Sequence, residues 1–474
     1  MTSTEYNEIV AYLKCIIEGS EFENHTFAVG GAVRDLLMHR PIKDIDLVVD
    51  LPCGGLRFAE WMEKSGHTAG SVVTYPTYGT AMFRPAECPD VELECVQTRG
   101  EQYHDRNTRN PETTYAPIEE DAFRRDLTIN ALYQNVSTGE ILDLTGKGLS
   151  DIENRVIRCT NGNPDTVFTD DPLRIMRVCR FSARYGWEIE SGTYDAMKRN
   201  ADRLSIITKE RTQDELVKIL TCDNPVLGLR ELEETGALEH VIPELRLTVG
   251  MTQNEHHFGD VWEHTLKVVE HAGGMPVESG EDKTALMLAA LLHDIGKVRT
   301  RTEDESGVHF YKHDVEGAEM ATGIMRGLRF SNALVEKVSF LVREHMRFKP
   351  FGNDAPPDKA IRKFQYLCGD RGTFCLCLCL IHADNLSHAE GHCLPDQCVL
   401  MMKRSGELER CGEAMFGYKP PLDGHDIMRI RGVSGGAEVG ACLDYLVRLA
   451  YNGVRKLDKT ECTKLVKGFN PDKN

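Results

Sequence analysis

No apolar run in the 474-residue chain approaches the ~20 residues that span a bilayer, and the run 285–292 stops far short of it. A membrane-spanning helix is therefore not expected. Basic residues are in deficit, since 56 Lys and Arg against 74 Asp and Glu give a net charge of −18. That balance argues against broad nonspecific binding of nucleic acid through a whole-molecule field, so any polyanion site must be local. The first ten residues carry two Glu and no basic residue, and no export signal is read there. Cys-x-x-Cys units are also missing among the 16 cysteines, whose scatter through a long chain points to reduced thiols in a cytoplasm. Cys375, Cys377 and Cys379 alternate with leucine in an apolar segment and read as packing residues. Low-complexity and like-charge blocks are absent, and 41% apolar with 27% charged residues is a globular composition.

What is present is organised in series. The chain exceeds the roughly 250–300 residues at which a single core stops growing, so several domains are expected. Up to about residue 150, β-rich segments at 27–29, 45–49, 71–74, 91–96 and 140–143 alternate with turn signals. Beyond that point the apolar spacing becomes helical, with clear helices predicted over 171–185, 209–220, 261–271 and 284–297.

Residues 27–38 read as strand, glycine turn and helix. Gly30 and Gly31 let backbone N–H groups approach an anion at a helix N-terminus, and Arg34 stands one turn in. Next comes Lys43-Asp44-Ile45-Asp46-Leu47, a short strand that puts Asp44 and Asp46 on one face. Two carboxylates side by side repel unless a cation lies between them. Magnesium, which takes a few carboxylates together with substrate phosphates, fits that arrangement.

The segments GGAVRD and DIDLVV resemble the head of the class II transfer-RNA nucleotidyltransferases and the related bacterial poly(A) polymerases, within the DNA polymerase beta-like superfamily. The resemblance continues through IEEDAFRRDLTINAL, ending at Leu132, through DDPLRIMRVCRFSARYGW at 170–187, and through ERTQDELVKIL at 210–220. It implies that Asp44 and Asp46 are catalytic metal ligands and that Gly31, Arg34, Arg125, Arg177 and Arg180 contact the nucleotide. A third carboxylate is expected at Glu94 or Glu92. Carried over from the family, the base-reading pair falls on Asp171 and Arg174. Chemically such a pair presents an acceptor beside a donor fork, which suits the amino group and ring nitrogen of C and A and leaves U and G with unpaired groups. Asp170 stands where the family carries Glu. Independently of the resemblance, Arg174, Arg177, Arg180 and Arg184 recur on one helical face of a single sign.

A second constellation lies further on. His264, His293-Asp294, His313, His345 and Asp384 occupy helical or helix-edge contexts, where an adjacent His-Asp after an apolar helix is costly unless liganded. The set resembles the HD phosphohydrolase domain. Its ligand positions match His264, His293, Asp294 and Asp384, while His313 and His345 match extra histidines of active members.

The expectation is an α+β chain. A polymerase beta-like nucleotidyltransferase head at 1–150 is followed by an all-α neck at 151–248, an HD domain at 249–395, and a C-terminal helical region at 396–474 that contacts RNA. The resemblance implies template-independent addition of C and A to the 3′ end of transfer RNA from CTP and ATP. It implies magnesium in the head and a divalent metal in the HD domain. Neither DNA nor a membrane is expected as a partner. A poly(A) polymerase with the same head is one alternative, and an HD phosphohydrolase with a head reduced to binding is another.

Overall fold

The computed structural model describes residues 1–76, 79–102, 112–253, 259–453 and 457–470. It divides into two compact units, Met1–Arg246 and Leu247–Asn474.

The first unit opens with a helix, Ser3–Ile17, started by a capping box in which Thr2 and Glu5 satisfy each other's backbone N–H. Nine strands follow: β1 (Thr26–Val29), β2 (Ile45–Val49), β3 (Val73–Tyr75), β4 (Thr80–Phe83), β5 (Leu93–Gln97), β6 (Arg99–Gln102), β7 (Glu112–Tyr115), β8 (Leu132–Asn135) and β9 (Ile141–Asp143). Seven of them form one sheet in the order β3-β4-β5-β2-β1-β8-β9. Within it β2 and β5 run parallel, and the remaining neighbours are antiparallel. β6 and β7 make a separate antiparallel ribbon.

Strand alternation decides what each face carries. Ala28, Ile45, Leu47 and Val49 enter one core with Tyr6 and Leu13 of the first helix and with Phe58 and Met62 of the helix Gly54–Lys64. Phe27, Val29 and Val48 enter another, with Ile118, Ala122 and Tyr133. With a side-chain period of two, Asp46 shares the face of Val48 and stays out of the larger core.

The α+β organisation expected from the sequence is the one observed. The strand read at 71–74 lies at Val73–Tyr75, and β4, β6, β7 and β8 were not anticipated. Downstream, apart from the short parallel pair Val156–Ile157 and Glu188–Ile189, the first unit is helical, through Pro164–Asp170, Leu173–Tyr185, Ser191–Asn200, Lys209–Leu220 and Pro225–Glu234. The helix predicted over 171–185 starts at Leu173. Pro172 disfavours helical geometry at the preceding residue, and Asp171 is extended at φ −139°.

The second unit is helical apart from one exposed hairpin, Arg301–Asp304 with Gly307–Phe310. Asp260, Ser279, Ser331 and Asp370 cap the helices Val261–Gly273, Gly280–Leu292, Asn332–Glu344 and Arg371–Leu386. The helix predicted over 284–297 ends instead at Leu292, and the chain turns through His293 to Gly296. The turn packs against the helix His313–Gly327 so closely that a Cβ at Gly296 would lie 2.1 Å from the His313 carbonyl oxygen. Leu422, Ile427, Cys442, Leu446, Cys462 and Val466 form a separate small core for the last three helices. All sixteen cysteines are free. No described helix is long and apolar enough to cross a membrane.

Candidate nucleotide pocket and metal centre

In the first unit a cavity of about 580 Å³ is lined by Gly30, Gly31, Arg34, Asp44, Asp46, Arg125, Asp126, Asn130, Arg177, Arg180 and Phe181, among others. Gly30 sits at φ +72°, which disfavours any larger residue, and a Cβ there would come 3.6 Å from Arg125. The following helix, Gly31–Leu37, carries Arg34 inward.

Register sets Glu94, and not Glu92, beside Asp46. Asp46 on β2 lies opposite Glu94 on β5 in the parallel ladder, on the same face, whereas Glu92 precedes β5 and meets Arg84 at 3.5 Å. Desolvation, then the Glu94 carboxylate against the pull of Arg125, then Asp44, lift the Asp46 pKa to about 6. A cation among the three acids would relieve that repulsion, so the residues present fit a divalent metal.

The arginines are fixed by buried acids. Arg34 donates from Nε to Asp35 at 2.8 Å and from Nη1 to Asn130 at 2.5 Å. Arg125 donates from Nε to Asp121 at 3.1 Å and to the Tyr133 hydroxyl at 2.9 Å. Burial alone would raise the pKa of Asp121, yet the Arg125 and Arg124 guanidiniums hold it well below the usual carboxylate range. Arg177 donates to Asp126 at 2.7 Å, and Asn130 joins the same carboxylate at 3.1 Å. Arg180 meets Glu215 at 2.7 Å. Asp126, Asn130 and Glu215 were not singled out by sequence reasoning; the signal was their place inside the segments ending at Leu132 and Leu220.

Asp171 and Arg174 stand beside this pocket and outside its lining. Asp171 accepts from Arg211 at 2.6 Å. Arg174 is buried and donates to the carbonyls of Arg124 at 2.8 Å and Val167 at 3.3 Å.

In the second unit, His264, His293, Asp294, His313, His345 and Asp384 converge, all buried. Two donor triads share Asp294: His264 with His293, and His313 with His345. His264 Nε2 lies 3.1 Å from Asp384 and 3.6 Å from Asp294, and His293 Nε2 lies 3.2 Å from Asp294. The imidazole orientation is set from behind. The Nδ1 atoms of His293, His313 and His345 face the carbonyls of Ala290, Phe310 and Val342 at 2.9, 2.8 and 2.6 Å, and His264 faces Ser387 at 3.4 Å. Each Nδ1 therefore carries the proton, and each Nε2 lone pair is directed inward. The Nε2 atoms of His313 and His345 are buried without a hydrogen-bond partner, and desolvation together with His293 and His313 pushes His345 down to about 3. Pre-aimed imidazoles around a shared carboxylate are a donor set suited to a divalent metal. Lys297 lies 2.7 Å from Asp294, and Lys349 lies 2.8 Å from Asp384. Those lysines and His388, 3.5 Å from Asp384, were missed in the sequence; their signal was helical spacing from HD-type residues.

Paired carboxylates on a mixed sheet, faced by an arginine-rich helix, define a nucleotidyltransferase head, and the His-Asp cluster defines an HD module. The chain matches the model of the Poly A polymerase head domain over residues 26–158, the probable RNA and SrmB-binding site of polymerase A over 186–247, and the HD domain over 261–367. It is 33% identical to the multifunctional CCA protein of Actinobacillus pleuropneumoniae, over 67% of this chain and 74% of that one. It is 31% identical to the CC-adding tRNA nucleotidyltransferase of Thermus thermophilus over 90% of each, and 30% identical to the A-adding enzyme of Deinococcus radiodurans over 73% and 77%. The fold matches the Bacillus stearothermophilus CCA-adding enzyme solved with CTP, with a TM-score of 0.64 at 19% identity, over 97% and 96% of the two chains. This chain belongs to the family of transfer-RNA nucleotidyltransferases.

Proposed function

We propose that this nucleotidyltransferase adds C and A to the 3′ end of transfer RNA from CTP and ATP without a nucleic-acid template. The observation that carries the reading is a single cavity in which Asp44 and Asp46 face Arg34, Arg125, Arg177 and Arg180. Asp44 and Asp46 would hold a divalent cation, taken to be magnesium, with Glu94 of the neighbouring strand as the third ligand. When bound, that ion supplies charge neutralisation at the transferring phosphoryl group and acidifies the attacking 3′-hydroxyl. Gly31 offers its backbone N–H, and the four arginines grip the phosphates and orient the α-phosphorus toward the RNA end. Asp171 and Arg174 read the base, which requires Asp171 to exchange its Arg211 partner for the exocyclic amine. The second unit is a metal-dependent phosphohydrolase that uses His264, His293, Asp294 and Asp384. The four-part division at 1–150, 151–248, 249–395 and 396–474, with RNA contact in the last part, is part of the same reading.

The test incubates the purified chain with transfer RNAs ending before C, before the second C and before A, each with one labelled nucleotide. Stepwise addition of C, C and A is expected, with Asp46→Ala reducing it by at least 10³-fold, an order of magnitude set by loss of a phosphoryl clamp. Addition of C alone or A alone restricts the activity to part of the sequence. Continued A addition to any 3′ end would replace the proposal with poly(A) synthesis.

A further inference from the structure

The head pocket contains an arrangement that none of the roles above uses. Phe181, only 4% exposed, lies at the inner wall, and three guanidiniums stand over its ring: Arg180 at 4.3 Å, Arg34 at 5.2 Å and Arg177 at 5.8 Å from the centroid. These three cations come from two elements, the helix after the glycine turn and the helix Leu173–Tyr185. Their acids are Asp35 for Arg34, Asp126 for Arg177 and Glu215 for Arg180, with Glu215 also 3.9 Å from Arg177, and none of the three carboxylates pairs with all three arginines. What the cations share is the aromatic ring. Desolvation lowers the Arg180 pKa, and although Glu215 opposes it, Arg177 and Arg184 push the same way, which shows how crowded the positive charge is. A ring quadrupole attracts a cation lying over its face, so one phenyl group reduces the cost of gathering three like charges.

We propose that Phe181 is a positioning residue that holds Arg34, Arg177 and Arg180 as one phosphate-binding fan. The inference rests on the nucleotidyl-transfer reading of this pocket and adds a determinant of triphosphate affinity. Leucine at 181 would preserve apolar burial and remove the quadrupole; tyrosine would keep both.

The test measures calorimetric binding of inorganic tripolyphosphate to the full chain, alongside KM and kcat for CTP on a transfer RNA ending before C. Phenylalanine analogues with one, two and three ring fluorines at position 181 keep the shape and weaken the quadrupole step by step. The tripolyphosphate Kd is expected to rise at each step, reaching roughly ten-fold at three fluorines. KM for CTP should rise in parallel, with a smaller change in kcat and a fall in Tm of no more than a few degrees. Phe181→Leu should behave like the most fluorinated form, and Phe181→Tyr like the parent. Equal or absent tripolyphosphate binding across the series overturns the proposal, as does weakened cytidine binding with tripolyphosphate unaffected, which would make the ring a base platform. Because this binding needs no turnover, a parent protein that binds tripolyphosphate but incorporates no CTP contradicts the transfer reading alone.

Discussion

A single hydroxyl shows how local chemistry fixes a protonation state in this chain. Ser182 Oγ has one hydrogen but faces two acceptors, the Trp187 carbonyl at 2.7 Å and the Glu231 carboxyl. Both contacts are satisfied only if Glu231 is protonated and donates to Ser182, which passes its own hydrogen to Trp187. Burial lifts the Glu231 pKa to about 8, against the Ser182 hydrogen bond. The folded state therefore holds this proton more tightly than the unfolded chain does. The stabilisation is complete below about pH 4.5 and is lost as pH rises toward about 8, by on the order of 4 kcal/mol. Glu231→Gln supplies a permanent donor and should flatten this loss, read as the difference between urea midpoints at pH 5 and pH 8.5. A parent protein equally stable at both pH values would contradict the assignment. Such pairings show what a sequence conceals. Asp44, Asp46, Gly31, Arg34, Arg125, Arg177 and Arg180 were legible because short motifs place them, and the structure brings all seven into one pocket lining. The Arg211 partner of Asp171 lies forty residues away, and no local spacing announces it.

At the scale of elements, legibility followed amphipathic length. The helices Lys209–Leu220 and Val261–Gly273 bury a face of 3.6-residue period, which the sequence displays. β8 was invisible because three of its four residues are buried, so no alternation survives, and the hairpin at 301–310 is too polar and exposed to carry an apolar pattern. The turn after Leu292 depends on a close approach that periodicity does not report. Gly296 and Gly317 let the His293-Asp294 corner pass against the helix His313–Gly327, and an added Cβ would meet Gly317 N at 2.5 Å. Gly296→Ala must therefore push that helix away and separate His313 from Asp294, now 3.3 Å apart. The expected result is a fall in bound divalent metal of at least ten-fold in affinity, the scale of a displaced ligand. Metal titration followed by elemental analysis measures it, and nucleotide addition serves as the control for folding of the first unit. Unaltered metal affinity would mean that His313 lies outside the coordination.

Across the whole molecule, charge and cores are partitioned. The chain carries −18 overall, yet the head pocket is lined by seven cations, Arg34, Lys43, Arg125, Arg177, Arg180, Arg184 and Lys218, against four carboxylates, Asp35, Asp44, Asp46 and Asp126. The head pocket thus attracts a polyphosphate against the net charge of an acidic chain, which suits selective capture better than nonspecific adhesion. The His-Asp cluster lies in the other compact unit, which has its own buried helices and uses none of the head's residues. Asp46 and Asp294 should then be separable. Asp46→Ala is expected to abolish CTP incorporation while leaving transition-metal binding at the His-Asp cluster within two-fold of the parent. Asp294→Ala deletes the carboxylate common to both donor triads and should remove that metal while leaving CTP incorporation within two-fold, by the rule that sites with no shared partners act additively. Elemental analysis and single-turnover incorporation on the same preparations provide the two readouts. If either substitution depressed both, the two chemistries would be coupled, and the division of labour between the units would have to be abandoned.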